Sequence, residues 1–243
     1  MSDELVWLLI TTAVALAAGG ISGWASAAYR RREQKKERIR EQVLRWANPI
    51  LGSVKSLTSR LGNILDDDLY LALDPVGDEW PLNEDWSIDR DYALESTLFV
   101  FSEYFAWVQL LHERMSFELF ESQETKDEFF AAIWKVSGAL SRWPDPLVEG
   151  DGQDMQVFVL QQRAIGELLI VRDGDTPRVL GYPDFLAARK DKPPITEMLA
   201  PLESLLSGLE KETKRWQRLE NTRAALVELE ALCKGLLGLD RTR

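Results

Sequence analysis

The feature that most constrains this chain is a charge-free segment near its N-terminus, followed at once by a basic one. Residues 5–29 contain no Asp, Glu, Lys or Arg. A helix of this length measures about 37 Å, enough to cross the ~30 Å hydrocarbon core of a bilayer. Trp7 lies near one end, and Trp24 and Tyr29 lie near the other, where aromatic rings meet lipid headgroups. The segment therefore predicts a single transmembrane helix.

Two alternatives account for the same segment less well. A buried helix of a globular domain does not need so long an uncharged run. A cleaved signal peptide would suit the small residues Ala25-Ser26-Ala27. Signal peptides begin with a basic region, however, and this chain has Asp3 and Glu4 at that place.

The basic run after the segment predicts its orientation. Residues 30–45 carry eight Lys or Arg against three Glu, a net charge of +5. The positive-inside rule then leaves residues 1–4 as a short extracytoplasmic tail and places the rest of the chain in the cytoplasm. We expect the run to attract anionic lipid headgroups, with about 1 kcal/mol from each basic residue. The predicted headgroup contacts are Arg30, Arg31, Arg32, Lys35 and Lys36.

One face of the predicted transmembrane helix consists of small residues. They are spaced four positions apart at Ala15, Gly19, Gly23 and Ala27. Such spacing lets two helix backbones approach closely, although it also arises by chance in Ala- and Gly-rich helices. It predicts packing against another helix, most simply that of a second copy, and hence a homo-oligomer.

The composition indicates a folded, acidic remainder. Of the 243 residues, 45% are hydrophobic, and residues 46–243 carry a net charge of −14. A domain of that charge repels nucleic acid, so we expect no nucleic-acid partner. The single cysteine, Cys233, cannot form an internal disulfide and suits a reducing compartment.

The pattern beyond the basic run predicts a mostly helical, bundle-like domain. A basic juxtamembrane helix covers residues 30–47 and ends at Asn48-Pro49, because the residue before proline disfavours helical geometry. Apolar residues then recur every three to four positions. They do so in residues 50–65, 88–119, 125–142 and 202–236, the last with breaks at Glu212-Thr213 and Thr222-Arg223, and a short helix opens at Pro183. The breaks favour packing within a bundle over a coiled coil.

A small β-hairpin is predicted between the two helical halves. Residues 168–171 and 178–180 flank Asp173-Gly174, a pair typical of tight hairpin turns. Residues 157–160 also favour extended structure. The alternative is a helix over residues 161–171, against which Gly166 counts.

The acidic residues 66–91 predict a long loop, with a short helix near residues 69–73. Long loops inside a compact domain often carry function. Asp66-Asp67-Asp68 would offer oxygen ligands to a magnesium ion. Consecutive side chains point in different directions, so a solvated loop is the simpler interpretation.

The other polar residues assemble no familiar catalytic pattern. His112 lies on an apolar helical stripe and is expected at the core or its boundary, and Cys233 lies on an inward face. The sequence has no phosphate-binding glycine loop, no EF-hand and no nucleophile elbow. Arg163 and Glu167 would form a structural ion pair if their segment were helical. We expect no cofactor and no metal.

Together these features predict a single-pass protein of the cell membrane with an acidic cytosolic helical domain, residues 48–243. The absence of an assembled chemical pattern favours a non-catalytic interaction or regulatory module with a protein partner. Two other functions stay open: a membrane-tethered sensor that binds a small ligand between aromatic-rich helices, and a metal-dependent enzyme that uses residues 66–91. A pore-forming effector is a weaker alternative, because the segment has only Thr and Ser to line a pore.

Overall fold

The structure is a computed structural model. It describes residues 29–31, 33, 34, 37, 41, 44–73, 79–83, 86–114, 120, 122–142, 156–174, 176–191 and 193–239. The chain divides into two compact units, Met1–Leu44 and Arg45–Arg243. In the first unit the described residues are helical, and Arg30 and Arg31 are exposed.

The predicted membrane segment lies outside the described residues except for Tyr29. The same holds for the small-residue face at Ala15, Gly19, Gly23 and Ala27, and for Arg32, Lys35 and Lys36. Among the residues that the structure does describe, no helix is both long and apolar enough to span a bilayer. The transmembrane helix stays a prediction.

The second unit is mostly helical, as predicted. Helix α1 covers residues 45–65. It is followed by a short 3₁₀ helix (Leu69–Leu73), β1 (Glu79–Asn83), β2 (Trp86–Asp89), α2 (Arg90–Arg114), α3 (Gln123–Ser141), α4 (Val159–Leu169), β3 (Ile170–Val171), β4 (Arg178–Val179), α5 (Tyr182–Asp191), α6 (Pro193–Leu206) and α7 (Lys214–Leu236).

Two antiparallel hairpins interrupt the helices. In the first, Glu79 of β1 lies opposite Asp89 of β2, and in the second, Ile170 of β3 lies opposite Val179 of β4. The second hairpin was predicted, but residues 172–177 connect its strands instead of a tight turn at Asp173-Gly174. Gly174 in this connection has a φ of +101°, which favours glycine. The first was not, because its acids and prolines resemble a loop. The short helix predicted near residues 69–73 is present as the 3₁₀ helix.

Extended structure was predicted for residues 157–160 and 168–171, and this was wrong where α4 (Val159–Leu169) replaces it, whereas Ile170–Val171 form β3 as predicted. Gly166 lowers helix propensity, but it lies where α4 crosses α2. A Cβ atom there would lie 2.6 Å from the carbonyl carbon of Phe105 and 2.9 Å from the amide nitrogen of Ala106. The glycine therefore allows two backbones to touch, and the buried area of this crossing outweighs the local propensity.

The predicted boundary at Asn48-Pro49 was also wrong, because α1 runs through it without interruption. Ala47, Ile50 and Val54 lie on one face of the helix and are at most 1% exposed. Burial of this stripe outweighs the local preference of the residue before proline.

Helix α7 runs without interruption through Thr222-Arg223, where a break was predicted. The other predicted break, at Glu212-Thr213, is present, because α7 begins at Lys214. Its basic side chains tie down the ends of two other helices. Arg218 is 5% exposed and donates to the carbonyl oxygens of Ala139 (2.8 Å) and Arg142 (3.0 Å) at the end of α3. Arg215 donates to those of Ser207 (2.7 Å) and Gly208 (2.6 Å) after α6. Cations at helix C-termini satisfy carbonyls that have no partner within the helix.

The core is one cluster of buried side chains from each of the helices α1 to α7. Within it, α2 packs extensively on α4, and α3 packs extensively on α7. Its largest fully buried side chains include Phe101, Tyr104, Phe129 and Phe185. The C-terminal end of α2 and the middle of α3 meet at one edge of this core, where aromatic side chains reach the surface.

Candidate functional site

The predicted acidic cluster at Asp66-Asp67-Asp68 is divided between two cations. Asp66 pairs with Arg223 of α7, and Asp68 accepts a hydrogen bond from the Nζ of Lys211 at 2.9 Å. Within the described ranges, no group of three or more His, Cys, Asp or Glu side chains could hold a metal ion. The described part of residues 66–91 therefore lends the metal-dependent enzyme no support.

Cys233 is fully buried, on the inward face where the sequence placed it. Burial raises the pKa of its thiol to about 12. The thiol is therefore neutral at physiological pH and packs as a small apolar side chain.

His112 lies at the boundary of the domain, near the C-terminal end of α2, where it is partly exposed and partly covered by α3. Its ring centroid lies 5.4 Å from that of Phe130 and 6.3 Å from that of Trp134, both on α3. Phe120 extends the row, with its centroid 6.0 Å from that of Phe130. We call Phe120, Phe130, His112 and Trp134 the aromatic strip.

The sequence places Phe130 and Trp134 one helical turn apart, so both side chains emerge on the same face of α3. Phe130 is half-buried, whereas the indole of Trp134 is 46% exposed. At the start of α4, the N-cap Phe158 is 51% exposed and Leu160 is 75% exposed. Large apolar side chains that are exposed together are more informative than single ones, because clusters of them mark interaction sites.

Arg163 of α4 covers the end of the strip. Its guanidinium carbon lies 6.0 Å from the centroid of the Trp134 ring, within the range of a cation–π contact. The ion pair predicted between Arg163 and Glu167 is not formed. Glu167 instead pairs with Arg172 at 2.6 Å, and Arg172 also bonds Glu113 at 2.9 Å. Glu113 and Glu167 are thereby both paired with Arg172 rather than with Arg163.

A shallow cleft opens beside Trp134 and Arg163, with a cavity volume of about 20 Å³. That is room for about one water molecule, far from the size of a metabolite pocket. Gln162 is 3% exposed and stiffens the cleft, since its Nε2 donates to the carbonyl oxygens of Ser137 (3.1 Å) and Val157 (2.7 Å). The cleft suits the tip of one inserted side chain better than a whole small ligand.

The electrostatics of the strip differ from those of the domain. Partial burial, and after it the charge of Arg163, lower the pKa of His112 below its usual value, so the imidazole is neutral at pH 7. The surface thus offers one guanidinium, a neutral imidazole and an indole, on a domain whose net charge is strongly negative.

A second polar cluster lies between α2, α5 and α6. Arg189 donates to Glu95 at 2.8 Å and also pairs with Glu203, and all three side chains are at most 26% exposed. Burial, opposed by Arg189, raises the pKa of Glu95. Because one guanidinium serves two carboxylates, the cluster anchors α5 to its neighbours and leaves no free acid–base pair for chemistry.

Sequence reasoning placed His112 near the boundary but did not find the strip. The spacing of Phe130 and Trp134 was a usable signal, because Trp134 lies away from the predicted apolar stripe of α3. The position of Arg163 depends on α4 being helical and crossing α2, which the sequence did not reveal.

Comparisons of the chain with protein-family models, with curated proteins and with solved structures find no match.

Proposed function

We propose that the protein is a membrane-anchored, non-catalytic interaction module. Residues 5–29 form the anchor, the basic run contacts anionic headgroups, and the acidic helical domain binds a protein partner in the cytoplasm. The observation that carries the proposal is the exposed indole of Trp134 beneath Arg163, at the mouth of a cleft too small for a metabolite.

The residue types of the strip favour protein recognition. Tryptophan and arginine are enriched among the few residues that dominate binding energy at interfaces. A tryptophan can bury ~150–250 Å² of surface, so covering Trp134 is favourable. Its contact with Arg163 holds both side chains in place, which lowers the entropy lost on binding.

The charges of the strip define the class of partner. Glu113 and Glu167 are occupied by Arg172, so the charge of Arg163 faces outward without a carboxylate from these neighbours. We propose that the partner presents an aliphatic or aromatic anchor next to a carboxylate, the anchor entering the cleft and the carboxylate meeting Arg163.

The test replaces Trp134 with the photo-crosslinking residue p-benzoylphenylalanine in the full-length chain, in native membranes. The control carries the same residue at Val227, which is 51% exposed on α7. We expect a discrete covalent adduct from position 134 and none from position 227. Adding Arg163→Glu should weaken the adduct at least tenfold, because it reverses the charge that the partner's carboxylate meets.

Equal adducts from both positions, or none from position 134, would refute the docking surface. Mass spectrometry of the cross-linked peptide identifies the partner, including a second copy of this chain. A peptide without Asp or Glu near the cross-link would refute the proposed partner chemistry while keeping the surface.

Self-association through Gly19 and Gly23 is a separate part of the proposal. Gly19→Ile with Gly23→Ile should weaken chemical crosslinking between copies in membranes, because the added side chains hold the backbones apart. Ala17→Ile, on the opposite side of the predicted helix, is the matched control. Unchanged crosslinking in the double variant would refute this contact.

A further inference from the structure

The loops at residues 66–68 and 207–213 meet around one lysine. The Nζ of Lys211 lies 5.1 Å from the centroid of the Tyr70 ring and 5.9 Å from that of Trp216. The two rings are perpendicular, with centroids 5.3 Å apart. The same Nζ donates to Asp68 at 2.9 Å. We call Tyr70, Trp216 and Asp68 the ammonium box.

The walls of the box are fixed by the fold. Trp216 lies in the first turn of α7, is 8% exposed, and donates its indole N–H to Glu220 at 3.2 Å. Its backbone N–H is capped by the hydroxyl of Thr213 at 3.2 Å. Tyr70 is held by the 3₁₀ helix, whose neighbouring Leu69 and Ala72 are buried. The two aromatic walls of the box therefore do not depend on Lys211 for their position.

Strained backbone surrounds the ammonium group. In the described parts of the chain, the non-glycine residues with positive φ are Asp68 (+58°) and Glu212 (+63°). Asp68 supplies the carboxylate, and Glu212 follows the lysine directly. A left-handed conformation is unfavourable for residues with a Cβ, and such strain concentrates at binding sites. By contrast, Lys135 and Glu228 pair at 2.6 Å between the regular helices α3 and α7.

We propose that Tyr70, Trp216 and Asp68 form a recognition site for a primary alkylammonium group, with Lys211 as a ligand built into the chain. Two π faces within about 6 Å attract a cation of any substitution. The carboxylate adds selectivity, because it accepts a hydrogen bond that a quaternary ammonium cannot donate. The hydrogen bond to Asp68 is also the main reason that the pKa of Lys211 is raised. An external amine enters only when the lysine side chain is removed or displaced.

The site shares no residue with the aromatic strip, and the proposal does not rest on the proposed function. The test uses the full-length chain in mild detergent with Lys211→Ala. We expect this change to lower Tm by about 2–4 °C. The n-butylammonium ion, which has the four carbons of the lysine side chain, should restore at least half of that loss along a saturating curve. Sodium chloride at equal concentration should restore none, tetramethylammonium should restore less, and the wild-type Tm should not respond.

Two further variants separate the box from general salt effects. Lys135→Ala removes an equally exposed lysine from an ion pair without an aromatic box, and n-butylammonium should not raise its Tm. Asp68→Asn added to Lys211→Ala should reduce the preference for n-butylammonium over tetramethylammonium, because the amide oxygen accepts a weaker hydrogen bond than the carboxylate. Equal rescue of the Lys135→Ala and Lys211→Ala variants, or equal rescue by sodium, would overturn the proposal.

A second measurement, by ¹⁹F NMR, detects binding of n-butylammonium without relying on a change in Tm. The protein is labelled with 5-fluorotryptophan. The ¹⁹F resonance of Trp216 is assigned as the one that disappears from the spectrum when Trp216→Phe is introduced. It should shift with n-butylammonium in Lys211→Ala and stay constant in the wild type. A Trp216 resonance that does not move in Lys211→Ala would overturn the proposal.

Discussion

Gly166→Ala should destabilise the domain, although the same change stabilises most helices in which the glycine faces open space. The added Cβ would lie 2.6 Å from the carbonyl carbon of Phe105 and 2.7 Å from its oxygen. Both are backbone atoms, so no side chain can rotate away. Helices α2 and α4 would have to separate by about 0.8 Å to restore ordinary contact.

The magnitude follows from two opposing effects. Overpacking a well-packed core costs about 1–3 kcal/mol, and a clash between two backbones belongs at the upper end. Alanine in place of glycine inside a helix returns about 1 kcal/mol. We therefore expect a net loss of about 2 kcal/mol in the free energy of unfolding, or about 4–8 °C in Tm.

Helix α1 offers two control positions at which replacing glycine with alanine causes no clash. Cβ atoms added at Gly52 and Gly62 would meet nothing within 4 Å. Gly52→Ala and Gly62→Ala should each raise the free energy of unfolding by up to about 1 kcal/mol. Urea unfolding of the full-length variants, followed by circular dichroism, measures all three. If Gly166→Ala stabilises the protein as the controls do, α4 does not cross α2 as described.

Three further predictions concern buried or half-buried polar groups. The hydroxyl of Tyr104 is fully buried and has no hydrogen-bond partner among the described residues, so Tyr104→Phe should raise the free energy of unfolding by about 1 kcal/mol, and a loss would refute this. Burial raises the pKa of Glu103, so its charged form is unfavourable in the fold. Glu103→Gln should therefore stabilise the protein at pH 7 by up to about 1 kcal/mol, with the gain shrinking as pH falls through the folded-state pKa, and a pH-independent gain would contradict this cause. The pKa of His112 is lowered in the fold, so the wild type should lose stability as pH falls below about 6.5, and His112→Gln should lose less. Urea unfolding at pH 7 and at pH 5 measures this loss, and an equal loss in the wild type and in the variant would refute the prediction.

Patterns local in sequence predicted the elements whose stability is local. The stripes of α2 and α3 and the hairpin of β3 and β4 belong to this class. In α3 the observed cap is Ser122, whose hydroxyl accepts the N–H of Thr125 at 3.1 Å, so the helix starts two residues before the predicted Thr125.

Elements decided by contacts distant in sequence were missed. A glycine normally counts against a helix, and the sequence contains no sign that Gly166 would meet the backbone of Phe105. The unbroken path of α7 through Thr222 has a similar cause. Its hydroxyl donates to the carbonyl oxygen of Arg218 within the helix at 2.7 Å, which uses a polar group that otherwise favours turns.

The candidate site was missed for the same reason. The aromatic strip combines α2 with α3, and Arg163 reaches it only because α4 packs against both. The ammonium box combines the 3₁₀ helix with the start of α7, more than 140 residues later. Each pairing is set by tertiary packing rather than by spacing along the chain.

The central claim is a membrane anchor with the domain on the cytoplasmic side, and thiol labelling tests it most directly. Cys233 is buried, with its pKa raised to about 12, so the wild type should not react with a maleimide while folded. Ser2→Cys and Asn221→Cys add a thiol before the predicted anchor and on the exposed face of α7. In sealed cells, a membrane-impermeant maleimide should label the Ser2→Cys variant at once and the Asn221→Cys variant only after lysis. Labelling of both variants only after lysis, with the chain in the soluble fraction, would contradict the account.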